Sequence, residues 1–171
     1  MNDGVGPIDE AGDVMRAMKK RISAALVSVL LVSSPLVVGA EWMVTPAPGS
    51  GCILESSPEA LSDGYQTTSA LIRVDGKTVT VSSKSVFDAG FNDIGVAVDA
   101  DAMIPMDRLA DPRTAVFESR YGTLVEQFKR GVKARVVLRF WPTWPATGTH
   151  AAVFSLIGFT RAYARMEECK P

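Results

Sequence analysis

A short apolar stretch near the start of this chain decides how much of it is left to fold. Ile22 to Val32 is apolar apart from small serines. Arg16, Lys19, Lys20 and Arg21 precede it, Ser33-Ser34-Pro35 breaks it, and Val38-Gly39-Ala40 places small side chains just before Glu41. Basic residues, an apolar core and a small-residue cleavage site, in that order, are the layout of a secretory signal peptide. The expected division is a leader and cleaved signal peptide over residues 1–40 and a single β-rich domain over residues 41–171. Residues 1–14 are acidic and Gly-rich, which makes Met15 or Met18 a candidate start. Three rival readings fit less well. A retained anchor needs about 20 apolar residues, lipid attachment needs a Cys where Glu41 stands, and a buried core helix does not call for a cluster of bases in front of it. The domain is therefore expected in the periplasm or outside the cell, with no stable membrane span after cleavage.

Charge is nearly balanced, with 18 Lys plus Arg against 19 Asp plus Glu. No basic patch stands out, so nucleic acid is not an expected partner. Cys52 and Cys169 are the only cysteines. An even count in an exported chain favours a disulfide, with two buried free thiols as the alternative. Such a bridge would close most of the domain into one loop, worth about 4 to 5 kcal/mol by chain entropy. Two cysteines this far apart have none of the short spacings of a zinc site, and no cofactor is implied.

The chain reads as mainly β, a β-sandwich or open barrel of about seven short antiparallel strands with two short helices, the C-terminal helix last. Trp42–Thr45 and Cys52–Ser56 are the first strand candidates, separated by a loop over Pro46–Gly51. Ser57–Gly64 reads as a turn region with a helical turn. Ala70–Val74 and Lys77–Val81 flank Asp75-Gly76, the residues of a two-residue type I′ hairpin turn. That register pairs Val74 with Lys77, Ile72 with Val79 and Ala70 with Val81. Val86-Phe87, Ile94–Val98 and Ala115–Glu118 are further strand candidates, and Asp99–Pro112 reads as loop with a short helical turn. Thr123–Arg130 is a helix, with Thr123 and Glu126 forming a capping box and Gly131 a left-handed cap. Val132 to Phe140 alternates apolar with mostly basic residues, the pattern of a strand with one face on the core. His150–Ile157 is another strand. In the final helix Phe159, Ala162, Tyr163 and Met166 recur at helical spacing.

The stretch Ser155-Leu156-Ile157-Gly158-Phe159-Thr160-Arg161-Ala162, closing a β-rich exported domain, resembles the invasion-associated locus B family of bacteria. Val81 to Ala102, the Trp42 start and the cysteine-bearing segment after it are similar to that family too. Where the family often carries a paired-cysteine stretch before the helix, this chain has Phe117 to Tyr121 and no cysteine. The resemblance implies a small β-sandwich in the periplasm or at the cell surface, in a family named for an association with host-cell entry. It brings no catalytic residues.

Candidate chemistry is thin. His150 is the only histidine and no orienting partner stands near it in sequence, so a surface or strand-edge position is expected rather than a catalytic one. Asp88, Asp93, Asp99, Asp101, Asp107 and Asp111 lack the order of a calcium loop and suit turns and caps. Phe140-Trp141-Pro142-Thr143-Trp144-Pro145 is the most unusual segment: two prolines stiffen the backbone, and two indoles on it suit a sugar ring or a peptide. The core, at the open end of the sandwich, is the favoured place for one or both indoles, since large aromatics are mostly buried. Lys133, Arg135 and Arg139 would add a basic face, or merely a solvated one that discourages edge pairing. The expected function is a non-enzymatic binding module that contacts an envelope component or protein partner through Trp141, Trp144, Lys133, Arg135 and Arg139. The alternatives are an envelope-acting hydrolase using a carboxylate pair such as Glu118 and Glu126, or an accessory subunit of an envelope complex. Mass spectrometry of the exported protein is expected to find Glu41 at its N-terminus; an intact Met1 or Met15 would remove the export reading.

Overall fold

Eleven strands and two helices take up most of the residues described by the structure, a computed structural model covering 42–47, 51–142 and 148–169. The expected leader and signal peptide lie outside the described residues, as does Trp144. The larger sheet is built from β1 (Met43–Ala47), β2 (Gly51–Glu55), β3 (Glu59–Ser62), β4 (Thr67–Val74), β5 (Val79–Ser83), β8 (Arg108–Asp111) and β9 (Thr114–Phe117). Its order is β1-β2-β4-β5-β9-β8, with β3 also paired to β4. The smaller sheet is built from β6 (Gly95–Val98), β7 (Ile104–Pro105), β10 (Lys133–Leu138) and β11 (His150–Ser155), in the order β11-β10-β6-β7. Every strand pairing is antiparallel. Helix α1 (Tyr121–Arg130) enters β10, and α2 (Phe159–Glu168) follows β11. Among the described residues no helix is long and apolar enough to cross a membrane.

The period of two sorts each strand into an inner and an outer row. Ala70, Ile72 and Val74 of β4 are buried with Val79 and Val81 of β5. Ala134, Val136 and Leu138 of β10 are buried with Val96 and Val98 of β6 and Ala152 and Phe154 of β11. Both rows belong to one apolar cluster, joined by Leu124 and Phe128 of α1 and Phe159, Ala162, Tyr163 and Met166 of α2. This is the mainly-β, two-sheet architecture that the alternation implied, with the helical spacing of the last element intact. Cys52 and Cys169 are joined, their Cα atoms 5.6 Å apart, so the end of α2 is tied to β2.

Several local expectations give way to pairing. The β4–β5 hairpin slips by two residues, to Val74↔Val79, Ile72↔Val81 and Ala70↔Ser83. Only Gly76 has positive φ, so the two-residue turn does not form. The Asp75 carboxylate instead accepts from the Lys77 and Thr78 amides, at 2.9 and 2.7 Å, and closes a wider turn. An even slip leaves every side chain on its expected face. Ser57–Gly64 is not a helical turn, because β3 extends through it. Asp99–Pro112 holds β7 and β8 rather than a helical turn: partner strands supply hydrogen bonds that outweigh the turn preferences of its aspartates and prolines. Val86-Phe87 contributes only a bridge from Phe87 to Phe140, and the strand expected over Val132–Phe140 is confined to Lys133–Leu138. The Pro46–Gly51 loop is shorter than expected, since Pro46 and Ala47 belong to β1 and Gly51 to β2. The helix starts at Tyr121, which puts Thr123 inside it. No side chain caps it, and Glu126 pairs with Lys129 at 3.0 Å instead. Gly131 is extended rather than left-handed. Glycine is needed there for space, since a Cβ would stand 2.3 Å from Val98 Cγ1 and 2.9 Å from the Gln127 carbonyl.

Ser56 repairs the ladder where β2 hands over to β3. Pro58 has no N–H to give. The Ser56 amide donates to the Ile72 carbonyl at 2.9 Å, and the Ile72 amide donates back to Ser56 Oγ at 2.9 Å. Ser56 is buried, so its hydroxyl is the acceptor for an amide shielded from water. Ser56→Ala is expected to lower unfolding stability by about 1–3 kcal/mol, the cost of an unsatisfied buried donor, as read by urea denaturation. A change within about 0.5 kcal/mol, ordinary for a surface position, would mean that the Ile72 amide finds another acceptor.

Candidate functional site

One end of the molecule gathers three segments around a buried aromatic pair. Phe87 and Phe140 form an antiparallel bridge, their rings 5.7 Å apart. On either side of that bridge the Asp88 amide donates to the Arg139 carbonyl and the Trp141 amide to the Val86 carbonyl, both at 2.9 Å. This short extended pairing turns Phe140 inward, and alternation turns Arg139 and Trp141 the other way. Trp141 is 66% exposed. The peptide between Trp141 and Pro142 is cis, and the Pro142 carbonyl accepts from the Tyr65 hydroxyl at 3.2 Å.

Tyr65 itself is 58% exposed, at the tip of the β3–β4 turn. Asp63 makes that turn: its carboxylate accepts from the Tyr65 amide at 2.9 Å, the Gln66 amide at 2.8 Å and the Ser85 hydroxyl at 2.6 Å. One buried carboxylate thus holds the turn to the segment that leads into Phe87. The third aromatic is Phe91, 45% exposed. The Arg139 guanidinium lies 4.2 Å from the centre of its ring. Arg139 also grips Asp93 with both Nε and an Nη, Nε to Oδ2 being 2.8 Å. The arrangement presents aromatic surface beside a fixed ion pair.

The residues singled out in the sequence are dispersed. Trp141 is solvent-facing, against the core placement favoured for it. Lys133 and Arg135 are exposed on the outer row of β10, six to eight residues before Trp141 and so about 20 Å or more along the strand. Arg139 is the basic residue that the structure brings to the aromatic end, and Asp93 compensates it. His150 opens β11 opposite Leu138, on the core side, with its ring 5.8 Å from Phe140. It is half-buried rather than a surface residue, and its Nε2 is enclosed with no hydrogen-bond partner among the described residues.

Glu118 and Glu126 are exposed and each faces its own base, Arg108 at 3.5 Å and Lys129 at 3.0 Å. The aspartates serve turns and strand ends. Asp99 accepts the Val132 and Lys133 amides, Asp101 pairs with Arg130, and Asp111 accepts the Arg113 amide. Asp107 accepts from the Ser119 hydroxyl and from the Glu118 and Ser119 amides, which holds its carboxyl below the usual range, the Ser119 hydroxyl contributing most. Among the described residues no group of His, Cys, Asp or Glu could hold a metal ion.

Tyr65 and Phe91 went unremarked in the sequence. Each had a signal: an aromatic directly after Asp63-Gly64, and one between Gly90 and Asn92, both in polar turns where an apolar ring has no core to enter.

The Ser85 hydroxyl, with help from the two turn amides, lowers the Asp63 pKa from 3.8 to about 2. A carboxylate with a depressed folded pKa contributes stability above its unfolded pKa and loses it as pH falls through the folded value. Stability is therefore expected to drop between pH 3.8 and about 2 more steeply in the parent chain than in Asp63→Asn, measured by thermal melts across that window. Parallel pH profiles for the two would detach Asp63 from the turn. No family model, curated protein or solved structure matches this chain.

Proposed function

We propose that this protein is exported and works, without catalysing a reaction, as an interaction module of the bacterial envelope. The observation that carries the reading is the aromatic end. Tyr65, Phe91 and Trp141 come from three segments, stay exposed, and sit on backbone pinned by Asp63, by the Phe87–Phe140 bridge and by the Arg139–Asp93 pair. Exposed rings on a rigid frame bind at low entropic cost, because little is left to freeze on contact. Their faces suit the apolar faces of sugar rings or the apolar side chains of a protein partner. The layout of residues 16–40 and the bridge between Cys52 and Cys169 support passage to an oxidising compartment. The resemblance of Ser155–Ala162 to invasion-associated locus B proteins supports the same address. Trp144 and Pro145 follow in the sequence.

Retention of the protein on an immobilised envelope fraction is expected to fall at least about tenfold in Trp141→Ala, the scale of a lost aromatic anchor, with the melting temperature unchanged. Tryptophan emission of the parent chain should shift as soluble envelope material is added. Equal retention of parent and variant, with no emission change for any envelope polymer or protein tried, would overturn the reading.

A further inference from the structure

At the other end of β11 from His150, a groove of about 420 Å³ separates β1 from α2, with residues 42–45 on one wall and Ile157, Arg161 and Arg165 on the other. Three features of its walls belong together. First, β1 is the last strand of its sheet, so one of its edges has no strand partner among the described residues. Pro46 is tolerated there because a proline's missing N–H can face away from the ladder. Alternation then turns the amide and carbonyl of Val44 the same way, toward the open edge. Second, the rims are apolar and wet: Met43 is 53% exposed and Ile157 65%. Third, Arg161 and Arg165 stand one helical turn apart, both exposed, and neither has a carboxylate within salt-bridge reach among the described residues.

We propose that this groove captures an acidic, extended peptide segment of a partner protein by adding it to β1 as a further strand. Main-chain hydrogen bonds to Val44 would hold the segment, its apolar side chains would lie on Met43 and Ile157, and its carboxylates would reach the two guanidinium groups. Charge selects this occupant over the two nearest alternatives. A second copy pairing through β1 would bring its own Arg161 and Arg165 toward these, and Met43–Ala47 offers no acid in exchange. The chain's own leader balances acids at 3, 9, 10 and 13 with bases at 16 and 19–21, so it offers the arginines no net negative charge, and on the export reading it is cleaved away.

The test uses the full, disulfide-bonded chain and a fluorescein-labelled peptide of alternating Val and Glu, about eight residues long as a strand would be. Anisotropy should report binding, and the same peptide with Lys in place of Glu should not bind. Arg161→Glu with Arg165→Glu should weaken binding at least about tenfold without shifting the melting temperature, whereas Arg→Lys at both positions should retain most of it. Trp141→Ala should bind as the parent does, which keeps this site separate from the aromatic end. Hydrogen exchange should show the Val44 amide protected in the complex. Equal binding of both peptides, an unaffected double charge reversal, or a Val44 amide that gains no protection would overturn the proposal. So would binding that appears only once residues 1–40 are removed, or a peptide-independent dimer lost in the charge-reversed variant.

Discussion

The indole of Trp42 is the contact on which the rest of the domain converges. Its Nε1 donates to the Ser155 carbonyl at 3.0 Å, across 113 residues of chain. Its ring meets Phe159 nearly edge-on at 4.9 Å and Phe128 at 6.4 Å, and those two meet each other at 5.2 Å. One side chain thus joins the start of β1, the end of β11 and both helices. Aromatic pairs of this geometry are worth about 0.5–1.5 kcal/mol each beyond their buried area. The hydrogen bond is as necessary as the rings, since a buried indole N–H without an acceptor carries a desolvation cost.

The opposite end is built on different terms. Phe87 and Phe140 satisfy the interior, and the residues beside them are turned out by the alternation of an extended chain. Burying a Phe is worth roughly 1.5–3 kcal/mol, a gain that half-exposed Phe91 takes only in part. Hydrogen bonds hold the segment where hydrophobic burial does not: Asp63 fixes Tyr65 and Ser85, and Arg139 fixes Asp93. The rings of Tyr65, Phe91 and Trp141 thus stay exposed on a frame held by polar contacts.

Legibility in the sequence followed the range of the forces involved. Period-two burial in β4, β5 and β10 and the spacing of Phe159, Ala162, Tyr163 and Met166 are local signals set by the main core, and they held. The cysteine pair was readable from an even count taken together with the export-type leader. What failed was local chemistry that another contact, near or distant, overrode. Asp75-Gly76 carries a tight-turn signal, yet the Asp75 carboxylate builds a wider turn by bonding forward to Lys77 and Thr78. Pro105 and the aspartates around β7 and β8 look like loop because nothing in that stretch announces β6 and β9 as neighbours. The aromatic end was half legible for the same reason. The Trp141 segment is conspicuous, but Tyr65 joins it through a hydrogen bond spanning 77 residues, and no pattern in the sequence encodes that span.

Helix α2 is held at both ends by contacts of different kinds, and the groove beside β1 inherits its shape from both. At its first residue Phe159 packs on Trp42; just past its last turn Cys169 is bonded to Cys52 of β2. Between those ends Ala162, Tyr163 and Met166 pack into the core and hold the helix along its length. The disulfide adds a covalent tie at the far end. Its stabilisation is usually ascribed to the unfolded chain, but here it also sets a distance in the folded one, between a cationic helix face and an open strand edge. On the proposed export, the bridge would form in the same oxidising surroundings in which a partner would be met.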